Sequence, residues 1–165
     1  MKVSIPGLGL CFTGLLFAQS PCENLANLKL ANTRVTLAQV VEAGAFAPPA
    51  NPQGRGPGRG AALYKSLPAF CRVAVTLTPT SDSDIKSEVW LPASGWNGKF
   101  EVVGNGGWAG TIGYNAIAQA LSEGYAAAGT DTGHTGGSAS FAYNHPEKLL
   151  DFGWRAVHET TVAGK

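Results

Sequence analysis

The segment Lys99–Gly110, KFEVVGNGGWAG, holds the residues whose types and spacing could do chemistry. A short apolar run leads into a glycine-dense turn, and a helical pattern follows at Tyr114–Glu123. Glycines crowded just past a strand end let backbone N–H groups approach an anion that a Cβ would block. That anion is either a phosphate or the transient oxyanion of acyl transfer. For an oxyanion, Asn105, Gly106 and Gly107 lie where the donor loop of an acyl-transfer site should be, and Trp108 then walls the acyl pocket. One fixed donor of this kind is worth roughly 3–4 kcal/mol of barrier. For a phosphate, Gly104-x-Gly106-x-x-Ala109 reads as a dinucleotide fingerprint, with Asp131 on a ribose hydroxyl. A glycine-rich loop without a ligand is the third reading.

The phosphate reading meets three objections. The helix starts near Tyr114, too late for its N-terminus to reach a pyrophosphate. Two strands precede the motif, which usually opens its domain. The export signal described below also takes the chain away from nicotinamide cofactors. Among other candidates, Asp131 and His134 in TDTGH follow a strand end, where site loops gather; His134 is a candidate for the rim of a pocket. The plainer reading is a tight turn in which Asp131 accepts nearby N–H groups. Ser138 and Ser140 lack the glycine and the leading strand of a nucleophile elbow. His145 reads as exposed beside Pro146 and His158 as a packing-boundary residue; with His134 they give no zinc spacing. No G-x-S-x-G occurs in the 165 residues.

The elements that must position the turn follow from periodicity. Asn24–Ala45 reads as a short strand and then a short helix over Leu37–Ala43, ended by Gly44. Pro48–Gly60, PPANPQGRGPGRG, is a loop by composition. Phe70–Thr78 alternates with period two, Ile85–Leu91 is a second strand stopped by Pro92, and the pair suits an antiparallel hairpin. Phe100–Val103 is a third strand. Ala116, Ile117, Ala120 and Leu121 recur at helical spacing with Gly124 at the C′ position. Tyr125–Gly129 is small and apolar on both faces, as in a buried parallel strand. Thr130–Asn144 is a polar loop. Asp151 is expected to cap a last helix carrying Trp154, Val157, His158 and Thr161 on one face. A hairpin leading into a βαβ unit predicts an α/β fold and the opening of an α/β hydrolase sheet. The sheet is incomplete on this reading, and the last helix packs against strands outside the sequence.

Composition narrows the class. A 44% apolar, 14% charged chain is globular, and a net charge of +1 leaves no electrostatic footprint for nucleic acid. Residues 1–20 read as an export signal: Lys2, an apolar run over Leu8–Phe17 too short to span a bilayer, and Ala18-Gln19-Ser20 before the cut. The mature chain is then secreted or periplasmic, with no membrane partner. Cys11 leaves with the signal. Cys22 and Cys71 remain, either as a bridge closing a loop of about fifty residues or as two buried thiols.

Several blocks together resemble the tannase and feruloyl esterase family: PCENL around Cys22, PAFCRV around Cys71, Glu88–Phe100, Gly104–Gly110, Gly124–His134 and Leu149–Lys165. The resemblance spans about Cys22 to Lys165. It implies an α/β hydrolase, a Ser-His-Asp serine esterase acting on small aromatic esters such as gallates or feruloyl esters. It implies a C-S-x-G-G elbow shortly after Lys165, with the Asp, the His and a lid that often carries calcium further on. This chain then supplies the oxyanion loop, with Gly107 first and Gly106 second, and holds no catalytic triad, cofactor or metal of its own. Cys22 and Cys71 match a family disulfide. The expectation is an N-terminal fragment, inert and poorly folded alone. The alternative is a non-catalytic secreted remnant or binding module.

Overall fold

A sheet in the order β1-β2-β3-β5-β4 organises the chain in the computed structural model, which describes residues 21–49 and 60–165. The expected signal at 1–20 and residues 50–59 of the glycine-rich loop lie outside the described residues. The strands are β1 (Thr33–Val41), β2 (Phe70–Leu77), β3 (Ile85–Pro92), β4 (Phe100–Val103) and β5 (Ala126–Thr130). The hairpin is present: β2 and β3 pair antiparallel from Phe70↔Pro92 to Leu77↔Ile85. The helix α2 (Tyr114–Ser122) links β4 to β5, which pair in parallel, so the βαβ unit is present as well. β5 also runs antiparallel to β3, making the sheet mixed. Its sequence, AAAGT, is buried at every position.

Each face of the sheet is covered. On one, Ile117, Ala118, Ala120 and Leu121 of α2 pack toward Phe70, Trp90 and Val103. Gly129 permits this approach, since a Cβ there would lie 2.8 Å from Ile117 Cδ1. Gly124, with φ +84°, stands just past the helix, as its sequence position predicts. Phe46, Phe70 and Trp90 add an aromatic cluster, beside the short α1 (Gly60–Lys65). The same face carries a buried polar knot. Glu88 accepts from Arg72 Nε and Nη2 at 2.8 and 2.5 Å, from Trp90 Nε1 at 2.8 Å and from the Tyr114 hydroxyl at 2.9 Å. Both carboxylate oxygens are thereby satisfied, which a buried charge requires, and the first residue of α2 is tied to β3.

The opposite face packs Val73, Val75, Leu77, Ile85 and Val89 against Ala156 of the last helix. The Ser87 and Thr160 hydroxyls meet there at 2.7 Å. Cys22 and Cys71 are disulfide-bonded, fastening a 3-10 turn (Cys22–Asn27) to β2.

Three expectations are corrected. Leu37–Ala43 is not a helix: Leu37–Val41 finishes β1, in register with Val41↔Phe70 at the end of β2. Its Val-rich sequence gains a paired partner as a strand, and tertiary pairing outweighs the weak local preference. Asp151 does not cap the last helix. The helical run begins at α3 (Pro146–Leu150), where Pro146 occupies the first turn, and Asp151 is fully buried inside it. A π-helical segment (Asp151–Arg155) then leads into α4 (Ala156–Gly164). Trp154, Val157 and His158 are exposed, and Ala156 and Thr160 are buried. Finally, α4 packs on the strands present here, meeting β5, β2, β3 and β4.

Candidate active site: the glycine turn and the loop behind it

The glycine turn leaves the edge strand β4 at Gly104. Ala109 N–H donates to the Gly106 carbonyl at 3.2 Å, closing a β-turn whose central residues are Gly107 and Trp108. Gly107 has φ +57° and Trp108 does not enter the positive region, the pattern of a II′ turn, which takes glycine at its first central position. No peptide bond among the described residues is cis. In a planar trans peptide the carbonyl and the N–H point in opposite directions. With the Gly106 carbonyl turned inward to Ala109, the Gly107 N–H of the same peptide faces outward. Among the described residues, the N–H groups of Gly106 and Gly107 have no protein acceptor. Both residues are exposed, and a Cβ at either would meet nothing within 4 Å.

The side chains around the turn brace it. Asn105 Nδ2 donates to the Ala109 carbonyl at 2.9 Å and to the Thr130 carbonyl at 3.0 Å, tying the turn to the end of β5. Gly110 N–H donates to the Gly136 carbonyl at 2.7 Å. Trp108 is 43% exposed and stacks on Phe152 of the π-helical segment at 4.8 Å. Phe141 and Phe152 belong to this cluster and escaped the sequence reading. They come from a loop and a helix distant in sequence, and no local pattern joins them to Trp108.

The loop after β5 forms the second layer. Asp131 Oδ1 accepts from Lys86 N–H at 2.9 Å and Gly133 N–H at 2.8 Å, so the tight turn read from the sequence is present. Burial pushes the Asp131 carboxyl up to about 6, against the pull of those N–H bonds. Thr132, a β-branched residue, has φ +60°, a conformation that costs about 1–2 kcal/mol. It is held there by the bond from its N–H to Thr130 Oγ1 and from its hydroxyl to the Asp131 carbonyl. His134 is buried, stacked 3.7 Å from the Phe141 ring, and its Nε2 lies 3.0 Å from the Trp108 carbonyl oxygen.

The remaining candidates are dispersed. Ser138 Oγ accepts from Ser140 N–H and caps a 3-10 turn (Ala139–Ala142). His145 pairs with Asp82 at 3.0 Å, and His158 is exposed on α4. Among the described residues no group of three or more His, Cys, Asp or Glu is placed to hold a metal ion. An open groove bordered by Phe46, Tyr64, Glu88, Tyr114 and Asp131 starts at Gly110, where the turn ends, and does not include Gly106 or Gly107. The dinucleotide reading fits poorly. The helix begins at Tyr114, well past the glycines, and Asp131 is already engaged by two backbone donors.

The chain is similar in sequence and fold to known proteins. The sequence profile described as tannase and feruloyl esterase matches residues 71–165. An uncharacterised esterase of Xanthomonas campestris pv. campestris is 42% identical over 150 residues, covering 90% of this chain and 24% of its own length. A probable feruloyl esterase B-2 of Aspergillus flavus is 41% identical over 96 residues, covering 58% of this chain and 18% of its own. The crystal structure of feruloyl esterase B from Aspergillus oryzae superposes with a TM-score of 0.74 at 34% identity, over 87% of this chain and 27% of that one. Tannin acyl hydrolase from Aspergillus niger, at 19% identity and a TM-score of 0.54, shares the fold. The chain thus spans about a quarter or less of the length of these relatives, and its sheet and helices form part of an α/β hydrolase fold. The chain belongs to the tannase and feruloyl esterase family.

Proposed function

We propose that this chain provides the oxyanion loop of a secreted serine esterase that hydrolyses small aromatic esters. The carrying observation is the outward-facing Gly107 N–H, which has no protein acceptor among the described residues. In such an enzyme a serine attacks the ester carbonyl, and charge builds on its oxygen. Gly107 N–H donates to that oxygen, with Gly106 as the second candidate in this loop and a further donor following the nucleophile. A donor fixed before the reaction needs no reorganisation as the charge appears. Trp108 offers a partly exposed ring beside the turn, suited to line an aromatic acyl group. Asn105 sets the turn's position, and His134 lies behind it. The serine, its histidine and aspartate, and a lid of the kind that often carries calcium are assigned to polypeptide outside these 165 residues, so the chain alone is inert.

Export rests on the signal pattern at 1–20 and on the Cys22–Cys71 bridge, which suits an oxidising compartment. No helix among the described residues is long and apolar enough to cross a membrane.

The test is to express the complete reading frame around this sequence and assay methyl ferulate and methyl gallate hydrolysis. Labelling by a fluorophosphonate reports the serine. Turnover together with labelling is expected; a purified, folded product that does neither contradicts the reading.

A further inference from the structure

Two peptide planes connect His134 to Gly107. The Trp108 carbonyl can only accept, so the contact at 3.0 Å requires a proton on His134 Nε2. The peptide joining Trp108 to Ala109 is trans, so its N–H points opposite to that carbonyl. That N–H donates to the Gly106 carbonyl. The next peptide, Gly106 to Gly107, repeats the geometry and ends on the outward Gly107 N–H. Donor, carbonyl, N–H and carbonyl alternate without a break. Hydrogen bonds in such a chain polarise one another, and each also fixes the plane of the next peptide.

We propose that His134 is a positioning residue for the Gly107 N–H, holding and polarising it through this relay. The proposal rests on the oxyanion reading above for its catalytic consequence, though not for its geometry. The ring is immobilised for the task. It is 8% exposed, stacked on Phe141, edge-on to Phe152 at 5.6 Å, and Gly110 presses so closely that a Cβ there would lie 2.6 Å from His134 Cδ2. The strained Thr132 immediately precedes the Gly133-His134 corner, and its conformation delivers the ring to this place.

The test compares wild type, His134→Phe and His134→Gln, each expressed from the complete reading frame. Phe keeps a ring against Phe141 and removes the donor; Gln returns an N–H donor near the Nε2 position. The Phe variant is expected to lose about tenfold or more in kcat with KM held within about twofold. Its Gly107 amide resonance, followed by 15N glycine labelling, shifts, and the Gln variant recovers most of both effects. A Gly107 resonance in the Phe variant that superimposes on wild type overturns the proposal. So do equal losses of kcat in the two variants that follow their loss of thermal stability. If wild type hydrolyses no ester, the esterase reading fails by itself, and the Gly107 resonance alone decides the relay.

Discussion

Gly110 and His134 approach so closely that a Cβ on Gly110 would lie 2.5 Å from the His134 carbonyl oxygen. This contact joins the glycine turn to the loop behind it. Gly110 does not have positive φ, so the penalty for a side chain is steric alone. Gly110→Ala is expected to cost about 2 kcal/mol, the range of an overpacked core site. Gly106→Ala, where a Cβ meets open space, stays within about 0.5 kcal/mol. Urea midpoints of the two variants check the contrast.

Asp131 gives the protein a dependence on acid with a definite sign. Burial raises its native carboxyl from 3.8 to about 6. The folded state therefore keeps a proton that the unfolded chain releases. The stabilisation is full below about pH 4 and is lost as pH rises toward about 6, amounting to at most about 3 kcal/mol. Asp131→Asn keeps an acceptor for the Lys86 and Gly133 N–H groups and does not titrate. The difference in urea stability between wild type and this variant is expected to change across pH 4–6 and to be level above it. A level difference throughout contradicts the assignment.

The buried Glu88 is the acceptor for four side-chain donors. Glu88→Ala strands the Arg72 guanidinium, the Trp90 indole N–H and the Tyr114 hydroxyl, with an expected cost of about 3–5 kcal/mol. Because Tyr114 opens α2, hydrogen exchange is expected to rise first in the initial turn of that helix.

The Cys22–Cys71 bridge closes a span of 49 residues. In the chain-entropy account a loop of that length is worth about 4 kcal/mol. Thermal unfolding with and without reductant is expected to show a clear drop in Tm on reduction, and Cys22→Ser to reproduce it under oxidising conditions.

The sequence made four of the five strands legible and part of the first obscure. β2, β3 and β4 followed from alternation and from their proline and glycine stops. β5 followed from its small apolar residues, and α2 from its spacing and Gly124. β1 was obscured because its register shifts between Val35 and Leu37, which breaks the period. The start of the last helix was also missed: the helical run begins at Pro146 and passes through a π-helical segment into α4, so Asp151 lies inside the run and not at its cap. In the candidate site, the outward N–H at Gly107 follows from glycine at a turn position after a strand. The brace from His134, Phe141 and Phe152 does not, since it joins segments that only the fold brings together.

The central claim concerns one N–H group, and a transition-state mimic tests it. The protein from the complete reading frame is inactivated with an aryl phosphonate, and the adduct is crystallised. The account predicts the phosphonyl oxygen about 2.7–3.1 Å from Gly107 N, the range for an oxyanion donor. An adduct whose oxygen is held by other groups, with the Gly107 amide out of hydrogen-bonding reach, contradicts it.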